Sequence, residues 1–222
     1  MNEEELNIQK EISIKTLIDE GVLKTPKIIE AFRKLPRHKF VTKEYVGAAY
    51  ADVALQTLKD STISQPFTVA IMTEALNPQE GEKILEIGTG SAWQSCLIAY
   101  CIGESGMVVS LEIDKDLAEF GKKNVGKFSF KNIKIINKDG SLGYESEAPY
   151  DKIIITAATP EVPQPIKDQL KVGGIMVVPM GMPNEQEMIV VKKVGKDKFE
   201  SKNIYNGSFV FVPLKGKFGY KV

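Results

Sequence analysis

The run Lys83-Ile84-Leu85-Glu86-Ile87-Gly88-Thr89-Gly90-Ser91 constrains this chain more than any other. A short apolar stretch bounded by charge reads as a buried strand over 83–87. It enters a glycine-rich turn, and a helical pattern follows from Trp93 to about Cys101. Strand, tight turn and helix are the parts of a nucleotide-type cofactor site in an α/β fold. Glycine lets the backbone approach a ligand with no side chain in the way. The helix start offers free N–H groups to an anion.

The spacing selects among cofactors. A dinucleotide fingerprint needs Gly-x-Gly-x-x-Gly; Gly88 and Gly90 fit, but the third place holds Trp93. A phosphate loop would end in Gly-Lys-Ser/Thr, and none is present. Acid-apolar-Gly-x-Gly-Ser resembles the first motif of S-adenosylmethionine (AdoMet) methyltransferases, where the turn passes the amino-acid end of the cofactor. That resemblance implies that Glu86, Gly88, Thr89, Gly90 and Ser91 serve the cofactor. A second strand over 107–112 ends in Glu112. An acid about 20 residues beyond the turn can accept hydrogen bonds from both ribose hydroxyls, in AdoMet and NAD enzymes alike. After a third strand over 133–136 comes Asp139-Gly140; in AdoMet enzymes an acid at that strand end faces the adenine. Asp-Gly is also a plain turn dipeptide.

The 222 residues carry 29 basic and 29 acidic side chains, for zero formal net charge. Nothing global pulls the chain toward nucleic acid or anionic membrane. Only Arg33 and Arg37 are arginines, so bidentate reading of bases is nearly unavailable. Cys96 and Cys101 lie five apart on one helix and read as small buried apolar residues. No metal site, secretion signal or membrane-length run is apparent, and a reducing cytoplasm is the expected location.

Helical periodicity spans residues 3–20 and closes at Gly21. Thr25-Pro26 reads as an N-cap and first-turn proline for a helix to Leu35, and a further helix runs from Gln65 to Leu76. Strands at 83–87, 107–112, 133–136, 151–156 and 174–179 alternate with helices, which demands a parallel sheet with right-handed crossovers. Lys171-Val172-Gly173-Gly174 reads as a turn before the last of these. Runs at 187–194, 198–205 and 208–213 suggest antiparallel edge strands. The expectation is one methyltransferase unit of Rossmann-like, doubly wound type. It comprises a helical, substrate-side region (1–80), a cofactor core (81–182) and a C-terminal β extension (183–222).

Leu35-Pro36-Arg37-His38-Lys39-Phe40-Val41, Tyr50-Ala51-Asp52 and Ser61-Thr62-Ile63-Ser64-Gln65-Pro66-Phe67 precede the glycine turn. Ala148-Pro149-Tyr150-Asp151, Thr156-Ala157-Ala158, Pro160-Glu161-Val162-Pro163, Leu170-Lys171-Val172-Gly173-Gly174 and Phe211-Val212-Pro213-Leu214 follow it. Together, from about Ile28 to Leu214, they closely resemble the protein-L-isoaspartate O-methyltransferases. The resemblance implies methyl transfer from AdoMet to the free α-carboxyl of L-isoaspartyl residues in aged peptides and proteins. The ester then cyclises to a succinimide that hydrolyses partly to aspartate. It further implies that Ser64 matches the active-site serine, that Thr62 and Ile63 lie over the cofactor beside the substrate, and that Val212 flanks the peptide. The family's sheet has its last strands in an altered order. Where the family reads Gly-Thr-Gly-Ser-Gly-Tyr, this chain has Ala92-Trp93, and alanine fits there only if its φ is negative.

A carboxylate acceptor is ionised at neutral pH and a sulfonium donor is cationic. The reaction therefore needs an oriented, water-poor pocket rather than a strong base. The single histidine, His38, is expected to be structural, as is Asp52. On local sequence Ser64 reads first as an N-cap for the helix that begins at Gln65-Pro66; the resemblance implies a donor that orients the acceptor, and both can hold at different moments. The alternatives are an AdoMet methyltransferase for a small molecule or RNA, and a cofactor-binding domain without activity. The former usually carries Asn/Asp-Pro-Pro-Tyr after the fourth strand, which Thr156-Ala157-Ala158-Thr159-Pro160 does not match.

Overall fold

A computed structural model describes residues 1–220. Helices α1 (Glu3–Asp19) and α2 (Pro26–Lys34) open the chain. The short hairpin β1 (Leu55–Gln56) and β2 (Thr62–Ile63) and helix α3 (Pro66–Leu76) follow. The alternating part then runs β3 (Lys83–Ile87), α4 (Trp93–Ile102), β4 (Met107–Glu112), α5 (Lys115–Val125), β5 (Ile133–Asn137) and β6 (Tyr150–Ile155). It closes with α6 (Gln164–Asp168), β7 (Leu170–Met182), β8 (Glu185–Gly195) and β9 (Lys198–Asn203).

The sheet order is β5-β4-β3-β6-β7-β8-β9. Strands β3 to β7 pair in parallel, and β8 and β9 continue as an antiparallel meander. The central strands are apolar on both faces, as burial between two helical layers demands. From β3 the chain winds outward through β4 and β5, then returns to β6 on the other side of β3. That reversal leaves a crevice beyond the carboxyl ends of β3, β4 and β6, where open α/β sheets bind ligands.

Two expectations change and a third is refined. Residues 171–174 are not a turn before β7 but an irregularity within it: pairing steps from Tyr150–Leu170 to Lys152–Ile175, and Gly173 takes φ +88°. The run 208–213 forms no regular strand. Its partners lie on two different elements, Phe209 bridging Gln186 and Pro213 bridging Ala158, and proline has no N–H to continue a ladder. Thr25 is the N-cap of α2 ahead of Pro26, as expected, but its side chain does not bond the helix: its hydroxyl donates to Glu74 Oε2 at 2.7 Å, while the backbone N–H groups of Lys24 and Thr25 donate to Oε1. That carboxylate pins the start of α2 against α3.

The core divides accordingly. One cluster joins α1, α2 and the 40–55 segment to Trp93, Cys96 and Leu97 of α4. The others fill the two sheet faces. Cys96 and Cys101 are buried free thiols, and burial raises both above the usual thiol range, Cys101 to about 12.

Candidate active site

The glycine turn is held by its neighbours. Gly88 N–H donates to Leu111 O at the end of β4, and Thr156 N–H donates to Ile87 O. Thr156 Oγ1 donates to Gly88 O at 2.6 Å. Gly88 has φ +98°, and a Cβ there would lie 2.4 Å from Thr156 Oγ1, so the position excludes a side chain. Gly90, at φ +50°, faces open space. A cavity of about 370 Å³ opens there, within the range of small-molecule sites. Its wall includes Gly88, Thr89, Gly90 and Ser91 of the turn, Glu112 after β4, and Gly140 after β5. The hairpin side contributes Thr62, Ile63 and Ser64, and the C-terminal segment contributes Val212.

Glu112 stands where the strand order places it. Its Oε2 accepts Gly90 N–H at 2.9 Å and its Oε1 accepts Asp114 N–H at 3.1 Å, which ties the strand-end acid to the turn. Two candidates do not border the cavity. Glu86 is fully buried beneath the turn, where the hydroxyls of Ser95 and Ser110 both donate to its Oε2. Ser110 Oγ also meets Thr89 Oγ1 at 2.6 Å. Its Oε1 is buried without a partner, and burial pushes the carboxyl up to about 7. Asp139 accepts the N–H groups of Ser141 and Lys217, so its carboxylate straps the C-terminal segment down rather than facing the cavity. Its neighbour Gly140 forms the wall instead.

Ala92 overturns the expectation of negative φ. It sits at φ +65°, ψ +15°, fully buried at the N-cap of α4. Trp93 beside it borders the cavity and packs against the N-terminal helices: Nε1 donates to Leu35 O at 2.9 Å and the ring meets Phe32 edge-on. The N-cap of α3 is Gln65 rather than Ser64, and no side chain of that cap bonds the helix. Asp52 supplies the acceptor instead, taking Phe67 N–H at 2.8 Å. The structure thus removes the capping reading of Ser64. His38 is buried with Nδ1 2.7 Å from Tyr50 Oη and lies outside the cavity wall.

A second hollow, of about 380 Å³, shares Thr62, Ser64, Thr156 and Val212 with the first and extends past Ala54, Phe67 and Tyr205. The two hollows adjoin along these four residues, Ser64 among them. Sequence reasoning missed Thr156 as a wall residue of both. Its place at the end of the fourth parallel strand, opposite the glycine turn, was the available signal.

A family model described as Protein-L-isoaspartate(D-aspartate) O-methyltransferase (PCMT) matches residues 8–219. The chain belongs to this family. A protein-L-isoaspartate O-methyltransferase of Dictyoglomus thermophilum is 45% identical over 208 residues, covering 94% of this chain and 91% of the relative. Protein-L-isoaspartate O-methyltransferase 2 of Archaeoglobus fulgidus is 45% identical over 195 residues, covering 88% of each. Among solved structures, a protein-L-isoaspartate O-methyltransferase superposes with a TM-score of 0.83 at 31% identity, covering 95% of this chain and 67% of that one. A Plasmodium falciparum beta-aspartate methyltransferase in complex with S-adenosyl-L-homocysteine gives 0.80 at 21% identity, covering 91% and 96%, and shares the fold. Among the described residues no cluster of His, Cys, Asp or Glu is arranged for a metal ion, and no helix is long and apolar enough to cross a membrane.

Proposed function

We propose that this chain transfers the methyl group of AdoMet to the free α-carboxyl of L-isoaspartyl residues in peptides and proteins, the step that starts their return to aspartate. The observation that carries this reading is a pair of adjoining hollows with Ser64 in the wall of both, in a chain of this family. The cavity walls fit the cofactor: side-chain-free backbone at Gly88 and Gly90, and an acid at Glu112 to take the ribose hydroxyls. When bound, AdoMet supplies an electrophilic methyl group on a sulfonium.

The chain's own residues orient and exclude water. In this reading Ser64, free of any capping duty, donates to the acceptor carboxylate and aims it. Thr62, Ile63 and Val212 flank the peptide, and Gly140 closes the adenine end while Asp139 holds the C-terminal segment over it. Glu86 acts from below, through Ser110 and Thr89, on the shape of the turn. An isoaspartyl carboxylate is already ionised at neutral pH, so the remoteness of His38 costs nothing. The helical region 1–80 serves the acceptor, 81–182 the cofactor, and the C-terminal extension both. The free buried thiols suit a reducing cytoplasm.

The test is to follow an isoaspartyl peptide with the enzyme and AdoMet through repeated turnover. Conversion to a mixture containing the aspartyl peptide is expected, and an unchanged isoaspartyl peptide would contradict it. Ser64→Ala is expected to lower kcat roughly 10- to 100-fold, the worth of one hydrogen bond to a charged group. S-adenosylhomocysteine should still bind it.

A further inference from the structure

The chain has 27 lysines and two arginines, since 29 basic residues less Arg33 and Arg37 leave 27. Arg33 lies on the surface against Glu11. Arg37 is 1% exposed, the most deeply buried cation of the described chain. At Arg37 the surroundings call for a planar fork of donors, which lysine does not offer. The fork has four backbone partners. Nη1 donates to Ala49 O at 2.6 Å, and Nη2 faces Val53 O at 2.9 Å, Ser64 O at 3.0 Å and Ile63 O at 3.3 Å. The guanidinium carbon lies 5.6 Å from the centre of the Trp93 ring.

These contacts come from both halves of the site. Trp93 opens α4 directly after the glycine turn, so it is fixed to the cofactor side. Ser64 walls both hollows and Ile63 walls the first, and 49 and 53 precede Ala54 on the wall of the second. The hairpin carrying Thr62 and Ile63 has only two ladder pairs, too few to hold its own position. Arg37 does not border either hollow, so it touches neither reactant. Its effect passes through the carbonyl of Ser64.

We propose that Arg37 is a positioning residue for the methyl transfer: its guanidinium, lying over Trp93 and binding the carbonyls of residues 49, 53, 63 and 64, fixes Ser64 at the distance from the glycine turn that the reaction needs. The proposal rests on the function inferred above. An in-line transfer demands reacting atoms about 3–3.5 Å apart, and a displacement of about 1 Å costs on the order of 100-fold. A lysine at 37 keeps the charge but cannot span four carbonyls on three segments.

The experiment compares wild type with Arg37→Lys on an isoaspartyl peptide, measuring kcat, peptide KM and the Kd of S-adenosylhomocysteine by calorimetry. The expected result is a kcat lowered on the order of 100-fold, with Kd and KM near their wild-type values. A merely structural arginine would not produce that split. Arg37→Ala should recover part of its kcat in millimolar guanidinium. A lysine variant with wild-type kcat overturns the proposal, as does one whose kcat and cofactor affinity fall together. If Arg37→Lys fails to fold, Trp93→Phe decides: it removes the bond to Leu35 and narrows the platform under the guanidinium. Lowered kcat at retained S-adenosylhomocysteine affinity supports the proposal, and unchanged kcat overturns it. Active wild type beside an equally active lysine variant defeats this proposal alone. Wild type that binds S-adenosylhomocysteine yet methylates no isoaspartyl peptide defeats the function reading and this proposal with it.

Discussion

At the residue scale, Ala92 shows how a local rule and a site requirement collide. A left-handed conformation costs an L-residue with a Cβ roughly 1–2 kcal/mol, and Ala92 bears that cost at φ +65° so that the turn can start α4. Ala92→Gly relieves the strain and gives up one buried methyl, worth about 0.8 kcal/mol. It should therefore leave the melting temperature level or slightly raised. Ala92→Val adds a β-branched side chain to a fully buried left-handed position and should lower it sharply and weaken S-adenosylhomocysteine binding. A stable valine variant would refute the assigned conformation. Glu86 carries a second prediction. Its carboxyl titrates at about 7 in the fold against an ordinary value of 4.5, so the folded state holds the proton longer than the unfolded chain does. Below pH 4.5 both states are protonated and the group costs nothing extra. As pH rises from 4.5 through 7 the folded state loses stability, in total about 3 kcal/mol. In ligand-free protein, the melting temperature of Glu86→Gln minus that of wild type should grow between pH 5 and pH 8. A difference that stays flat would place the titration elsewhere.

At the element scale, the weakest part of the site is the β1–β2 hairpin. Its own ladder is two residues long, and it is tied down by Arg37 from within and by Lys59 outside. Lys59 lies 2.7 Å from Asp114 and 2.9 Å from Asp116 at the start of α5. Both contacts are exposed, and such pairs contribute little to holding a segment in place. Lys59→Met should therefore speed release of S-adenosylhomocysteine by no more than about five-fold. Amide exchange over residues 55–64 should slow on cofactor binding in both proteins. Equal exchange with and without S-adenosylhomocysteine would deny the hairpin a part in closing the cavity. The parallel strands were legible because each is an apolar run of strand length with charge or glycine at its ends. Where the chain changes partners within a few residues, as at 208–214, periodicity carried no signal, because Phe209, Phe211 and Leu214 pack inward from a segment without one ladder.

At the scale of the whole molecule, the strand–turn–helix and the strand-end acid Glu112 pointed to the crevice that holds the cavity, because crossover topology brings those strand ends together whatever the loops do. The sequence could not say that Glu86 points under the turn rather than into the cavity, since both orientations suit an acid next to glycine. Nor could it foresee that Asp139 would be spent on Lys217, 78 residues away. Contacts of that range arise only when the last segment folds back beside β6. At its far edge the sheet ends in a consecutive meander of β7, β8 and β9, which leaves 204–214 to cross above the site and wall the second hollow. One arrangement thus sets two hollows side by side with Ser64 in the wall of both.

The most direct measurement is transfer of labelled methyl from AdoMet to two peptides identical except for one residue, L-isoaspartate in the first and L-aspartate in the second. The site described here predicts base-labile label on the isoaspartyl peptide alone. Label on both peptides, or on neither while S-adenosylhomocysteine still binds, would contradict it.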